Sequence, residues 1–159
     1  MKTLLKVLGI TLVCLVLLLI VLRVTGLEPK ERRPGLWLEG NLVTAPVTDW
    51  SFVEQYENDR VQTRTWYLIP HSVTTNFVVY NGQLYLTSSF AAGLPFPQGK
   101  SWTANVVRDP HVRLKFGNQL FDRTVSLVTD PTEKANVLQS RQQPDSNGST
   151  MYLFRVLAE

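Results

Sequence analysis

The chain of 159 residues contains one cysteine and two histidines, and these scarcities remove several kinds of chemistry at once. Cys14 has no second thiol to pair with, so neither a disulfide nor a thiolate metal site is available, and the redox compartment stays open. It lies inside an aliphatic run, and Thr11 and Val13 do not make a lipoprotein cleavage box, so it reads as a thiol buried in lipid. There is no G-x-S-x-G elbow, no CxxC, no HExxH and no P-loop, which argues against acyl transfer and metal hydrolysis and leaves no catalytic residue or metal ligand to name. Charge of one sign is also in short supply: a net +3, dispersed along the chain, does not make a nucleic-acid surface. No repeat or low-complexity tract appears.

What is present begins with an uncharged run from Val7 to Leu22. With Leu4 and Leu5 it reaches the roughly 20 residues a helix needs to cross about 30 Å of hydrocarbon, and Lys6 can snorkel to the interface. Residues 1–24 therefore read as a single-pass anchor in an inner (cytoplasmic) membrane. A cleaved signal peptide is the alternative, with Lys2 and Lys6 as its basic region, but the run is longer than a signal core and no small-x-small site precedes Arg23. Basic residues flank both ends of the run, so the side occupied by the rest of the chain stays undetermined. Residues 25–36, with "GLEPKERRPG", read as a juxtamembrane linker near the headgroups, and residues 37–159 are the size of one domain.

Within that domain "LWLEGNLVTAPV" reads as a short strand, and "TDWSFVEQYEND" as a short helix capped by Thr48 or Asp49. "RVQTRTWYLIP", "HSVTTNFVVY" and "QLYLTSSF" are strand-like, the last two joined by the hairpin signal Asn81-Gly82. "HVRLKFG" alternates Val112, Leu114 and Phe116 against polar residues and turns at Gly117-Asn118 into "QLFDRTVSLVTD". Asp130-Pro131 opens a helix to about Gln139, and the polar loop "SRQQPDSNGST" leads to a last strand, "MYLFRVLA". Asn147-Gly148-Ser149 matches a glycosylation sequon but reads as a turn. About six antiparallel strands with two or three short helices suggest a mainly β fold closed into a barrel, since closure removes exposed edges.

Neighbouring strands carry a series of donors: Gln62, Thr63, Arg64 and Thr65; His71, Ser72, Thr74 and Thr75; Thr87, Ser88 and Ser89; then Lys100 and Ser101 at a helix start. Hydroxyls, cations and a helix N-terminus brought together make a site for a phosphate-bearing ligand. Against this, threonine rows are ordinary on a solvent-facing sheet, Arg64 and Lys100 read equally as solvated residues, and Trp66 and Trp102 as core or dimer-interface anchors.

The segment "GKSWTANVVRDPHVRLKF", following "IPHSVTTNFVVYNGQLYLTSS", resembles the split β-barrel superfamily of flavin- and deazaflavin-binding proteins, which includes pyridoxamine-phosphate oxidases and deazaflavin-dependent nitroreductases. The resemblance covers Val61 to Asp130 and is most specific at Trp102-x-x-Asn105 followed by Asp109-Pro110-x-Val112. It implies a split β-barrel with FMN or a deazaflavin, the ring lined by Pro70, Ser72 and Thr74 and by Thr87 and Ser88, and the phosphate held by Lys100. The full candidate cofactor-binding set is Arg64, Thr65, Pro70, His71, Ser72, Val73, Thr74, Thr87, Ser88, Lys100, Ser101, Trp102 and Asn105. Trp102, Val106 and Val107 are expected to pack the helix onto the barrel, with Asn105 tying the turn that follows.

The loop "SSFAAGLPFPQG" is longer than the oxidase branch has and more like the deazaflavin branch. A membrane anchor departs from the superfamily's usual form, which keeps heme open as a minor alternative with His71 or His111 as axial ligand. The implied function is a membrane-anchored oxidoreductase passing hydride or electrons between a flavin or deazaflavin and a small acceptor such as a quinone or nitro compound. Tyr67, Tyr80 and Tyr85 are candidate proton donors. A homodimer is implied, with Trp50, Trp66 and Phe90 as contacts. The alternative is a non-catalytic or heme- or ligand-binding barrel tethered to the membrane.

Overall fold

Alternating side chains along short strands need a closed surface to bury one face, and the chain supplies it. The structure, a computed structural model, describes residues 2–140 and 148–158. Helix α1 (Lys2–Thr25) is followed by β1 (Asn41–Leu42), a single 3-10 turn (Ser51–Gln55), β2 (Asp59–Thr63), β3 (His71–Tyr80), β4 (Gln83–Phe90), α2 (Ser101–Arg108), β5 (His111–Phe116), β6 (Gln119–Leu127), α3 (Pro131–Ser140) and β7 (Thr150–Val156). Six strands run β6-β5-β2-β3-β4-β7, all antiparallel, and β7 returns to β6 at Val125 to Val156 and Leu127 to Phe154. The barrel is therefore closed, as expected, with β1 added parallel to β6.

The barrel is split along β3. Its first half pairs with β2, from Thr63 opposite His71 to Asp59 opposite Thr75, and its second half with β4, from Asn76 opposite Thr87 to Tyr80 opposite Gln83. At Asn81-Gly82 both residues have positive φ, 52° and 76°, which gives the hairpin the twist its strands need. The interior holds Val61, Leu84, Leu86, Leu114, Phe116, Phe121, Phe154 and Val156. On the outer face Val78, Tyr85, Met151 and Leu153 pack with Val137 of α3. Trp50 and Val53 close one end of the barrel, and Trp102 and Val106 of α2 contribute from the other.

Several segments differ from their sequence reading. "LWLEGNLVTAPV" contributes only the two residues of β1, and "TDWSFVEQYEND" only the 3-10 turn. Trp50 takes its cap position, its amide bonded to the Gly82 carbonyl at 2.8 Å, while Asp49 accepts the Ser51 amide at 2.8 Å as a local turn. "RVQTRTWYLIP" leaves the ladder after Thr63, because Leu68 adopts a φ of 69° and the Thr65 hydroxyl bonds the Ile69 carbonyl. α3 starts at Pro131 as expected, with Asp130 accepting the Thr132 amide at 3.0 Å. The loop residues 141–147, including Asn147 of the sequon, lie outside the described residues.

The segment between α1 and the barrel is an ordered strap. The Trp37 and Leu36 amides bond the carbonyls of Gly26 and Leu27, each at 2.8 Å. Gly35 exchanges two backbone hydrogen bonds with Ser72, at 2.8 and 2.9 Å, on the stretch of β3 that has parted from β4. Strand edges there would otherwise stay open. Glu28 pairs with Arg60 at 2.6 Å and with Lys115, and accepts the Glu39 amide at 2.9 Å. Burial works to raise the Glu28 pKa, but these hydrogen bonds and the two cations outweigh it and hold the carboxyl below its ordinary value.

A Cβ on Gly35 would lie 2.3 Å from the Leu27 oxygen and 2.4 Å from the Pro29 nitrogen, so Gly35→Ala is expected to expel the strap and speed tryptic cleavage between Lys30 and Arg32. Glu28→Gln is expected to cost on the order of 1–3 kcal/mol at pH 7, since it strands two cations. Because the folded-state pKa is depressed, the parent holds this contribution above the unfolded pKa and loses it as pH falls through the folded one. Melting curves of the full chain in detergent at neutral and acid pH check both statements.

Candidate functional site

Helix α2 plugs the end of the barrel where β2 finishes and β3 begins, and its residues arrange the polar groups there. Trp102, Thr103 and Val106 are buried, whereas Val107 is 51% exposed, so Thr103 replaces Val107 in packing the helix down. The Thr103 hydroxyl lies 2.8 Å from the Pro97 and Lys100 carbonyls. Asn105 donates to the Thr63 hydroxyl at 3.0 Å, and Thr63 donates onward to the His71 carbonyl at 3.1 Å. Asn105 therefore ties the helix to two strands; the turn after it is held instead by the Asp109 amide on the Asn105 carbonyl, at 2.8 Å.

The Ser101 hydroxyl sits 3.2 Å from Nε2 of His71. Burial lowers the His71 pKa, so the ring is neutral at pH 7, and its Nδ1 has no partner among the described residues. Lys100 occupies the position before the first turn of α2 with extended backbone and no side-chain cap, which leaves the first amides of the helix without a capping oxygen. Its ammonium rests 5.3 Å from the Phe90 ring centroid, and among the described residues no carboxylate pairs with it. Burial lowers its pKa. A cation drawn partly out of water at an uncapped helix start is a place where an anion gains from both charge and dipole.

Of the thirteen candidate residues, His71, Lys100, Ser101 and Asn105 share this mouth, with Pro70 leading into it. The others are not brought to it. Trp102 is core, its ring 5.4 Å from Phe154. Val73 packs inside the barrel while Ser72, its neighbour, is fully buried under Gly35. Thr74 lines a separate cleft with Tyr56, Asn58 and Lys115. Thr87 is buried with its hydroxyl bonded to the Asn76 carbonyl at 3.1 Å. Ser88 alternates to the opposite face of β4 and is buried without a hydrogen-bond partner among the described residues. Thr65 is used in its own turn, and Arg64 belongs to a second site.

That second site is a basic cleft of about 330 Å³ at the foot of α1. Arg23, Arg64, Arg113 and Arg123 line it with Trp37, against the single lining carboxylate of Asp122. Asp122 takes a two-pronged bond from Arg113, at 2.6 and 2.7 Å, and the Arg123 guanidinium rests 5.6 Å from the Trp50 ring and 5.8 Å from that of Phe121. Sequence reasoning passed over Arg113 and Asp122. The signal that reveals them is the turn at Gly117-Asn118, whose register sets the two directly opposite.

Other candidates find ordinary partners. Tyr85 is buried with its hydroxyl on Glu133 at 2.9 Å; burial first, then that carboxylate, pushes its pKa up to about 12, which makes it a poor proton donor. Nδ1 of His111 is held by Asp109 at 2.7 Å and Nε2 of His71 faces Ser101, so hydrogen bonding accounts for the placement of both histidines and neither points to heme. Trp50 and Phe90 are buried within the chain itself, which removes them as candidate dimer contacts; of the three aromatic candidates Trp66 alone is exposed, at 79%.

Asp59 was not anticipated. It opens β2 on the same face as Val61, is fully buried, and neither carboxylate oxygen has a partner on another described residue. Desolvation pushes its pKa up to about 7. A raised folded-state value favours the neutral acid, so the contribution of this group is fully present below the unfolded pKa, and roughly 4 kcal/mol at most of it is lost as pH rises to about 7. Asp59→Asn is expected to remove that slope: at pH 8 the variant melts above the parent, and the gap closes toward pH 4.

No family model matches the chain, and no curated protein does. Solved structures similar to it include a Listeria innocua protein assigned provisionally as a pyridoxamine 5'-phosphate oxidase, at 21% identity and a TM-score of 0.48, covering 69% of this chain and 89% of that one. A NimC/NimA family protein from Clostridium acetobutylicum is similar at 13% identity and a TM-score of 0.49, covering 65% of this chain and 76% of that one. A conserved hypothetical protein from Mycobacterium tuberculosis is similar at 19% identity and a TM-score of 0.47, covering 67% and 76% respectively. These are low-identity likenesses of fold.

Proposed function

We propose that the chain is a membrane-tethered split-barrel redox protein that holds FMN or a deazaflavin by its phosphate-bearing end at the mouth formed by Lys100, Ser101 and His71. The observation that carries this reading is the half-buried Lys100 ammonium, without a carboxylate partner among the described residues, at the uncapped start of α2. Charge-assisted bonds to a phosphate relieve both the desolvated cation and the orphan amides. Ser101 and the neutral His71 then offer one hydroxyl and one imidazole for orienting bonds. Such a cofactor supplies hydride or electron transfer when bound. The protein contributes placement, and α1, long and apolar enough to cross a membrane, suits a lipid-soluble acceptor such as a quinone, with nitro compounds as the second acceptor class.

A second reading, a tethered barrel without a redox cofactor, is favoured by one observation. Of the residues that the resemblance assigns to the ring, Ser72 is closed off by the strap, and Thr87 and Ser88 point to opposite faces of β4.

One titration decides between them. Full-length protein in detergent is expected to take up FMN or a deazaflavin with a change in visible absorbance, and Lys100→Ala to weaken uptake by roughly ten- to a hundredfold while Lys134→Ala leaves it unchanged. A colourless protein that takes up neither supports the tethered barrel.

A further inference from the structure

The basic cleft has a companion. An apolar groove of about 380 Å³ runs beside it, lined by Val16, Leu19, Ile20 and Val24 of α1 with Ile69 of the loop before β3. Arg23 and Trp37 line both spaces, so the cleft and the groove meet at those two side chains. The charges in the cleft are only partly answered. Arg113 is taken by Asp122, and Arg64 lies 3.6 Å from Asp109, which also holds His111. Arg23, in the last turn of α1, stacks on Trp37 at 5.7 Å and has no carboxylate partner among the described residues.

We propose that the paired cleft and groove bind one anionic phospholipid, its phosphate between Arg23 and Arg64 and one acyl chain along α1 against Ile69. The occupant follows from the chemistry of the two halves: guanidiniums favour a phosphate, a wall of aliphatic side chains favours a hydrocarbon, and a single ligand must carry both at once. Its source follows from position. The groove wall is the C-terminal half of the apolar helix, and arginine at the end of such a helix lies at headgroup level. The neighbouring loop presents Trp66 79% and Leu68 94% exposed, an aromatic and an aliphatic side chain on the same turn as Ile69, as a bilayer-facing surface does. This site is separate from the mouth at Lys100 and stands whether or not a cofactor binds there.

The test titrates the full chain in a neutral detergent with a short-chain phosphatidylglycerol below its micelle concentration, read by native mass spectrometry. The expected result is one lipid per chain, with roughly tenfold or more preference over phosphatidylcholine of the same chain length. The pair Arg23→Gln and Arg64→Gln is expected to abolish the preference, and Ile69→Asp to weaken lipid binding without affecting any phosphate adduct. Arg32→Gln, which removes one positive charge from the strap, is expected to change nothing. Equal affinity for phosphatidylcholine, equal loss in Arg32→Gln, or full competition by inorganic phosphate would each overturn the proposal, the last by reducing the site to a phosphate pocket. The parent's preference between the two lipids is decisive even if a variant does not fold.

Discussion

One carboxylate holds two parts of this chain together. Glu28 lies three residues past α1 in sequence, yet its oxygens are taken by Arg60 on β2 and Lys115 on β5, and by the Glu39 amide. Two cations on adjacent strands would repel each other across the barrel surface; the carboxylate between them turns that cost into an attachment. Gly35 adds a second fixing point by pairing with the edge of β3 that the split leaves bare. The apolar helix and the barrel are joined at fixed points, and the basic cleft and the apolar groove share Arg23 and Trp37 as walls because that joint sets α1 against this side of the barrel.

The polar mouth and the basic cleft divide the work that anions can do here. Lys100 and α2 present a cation and backbone amides at one opening, closed off from the barrel interior by Trp102 and Val106. The cleft presents guanidiniums at the foot of α1. The cleft gathers four guanidiniums and the mouth a single ammonium on a chain whose overall balance is only +3, so local arrangement rather than net charge sets what each surface attracts.

Much of the fold was legible because its signals are local. Asn81-Gly82, Gly117-Asn118 and Asp130-Pro131 mark turns and a helix start from two residues each, and the alternation of Val112, Leu114 and Phe116 gives the inner face of β5 directly. What escaped is what depends on distance along the chain or on which face a residue takes. Glu28 finds partners 32 and 87 residues away, so its segment reads as a polar linker when it is a strap. Asp59 shares the inner face of β2 with Val61, a placement that propensity argues against and only the closed barrel enforces. The residues assigned to the ring do not gather at one place: Ser72 is closed off by the strap, Thr74 lines another cleft, and Thr87 and Ser88, neighbours on one strand, must face opposite ways.

The central claim is that α1 and the barrel form one rigid unit. Cys14, the chain's single cysteine, stands exposed on α1, and Ala135 is exposed on α3, so spin labels at Cys14 and at Ala135→Cys measure the joint directly in reconstituted bilayers. The account predicts one narrow distance distribution that broadens when Glu28 is replaced by glutamine. A broad distribution in the parent chain, of the kind a freely jointed tether gives, would contradict it.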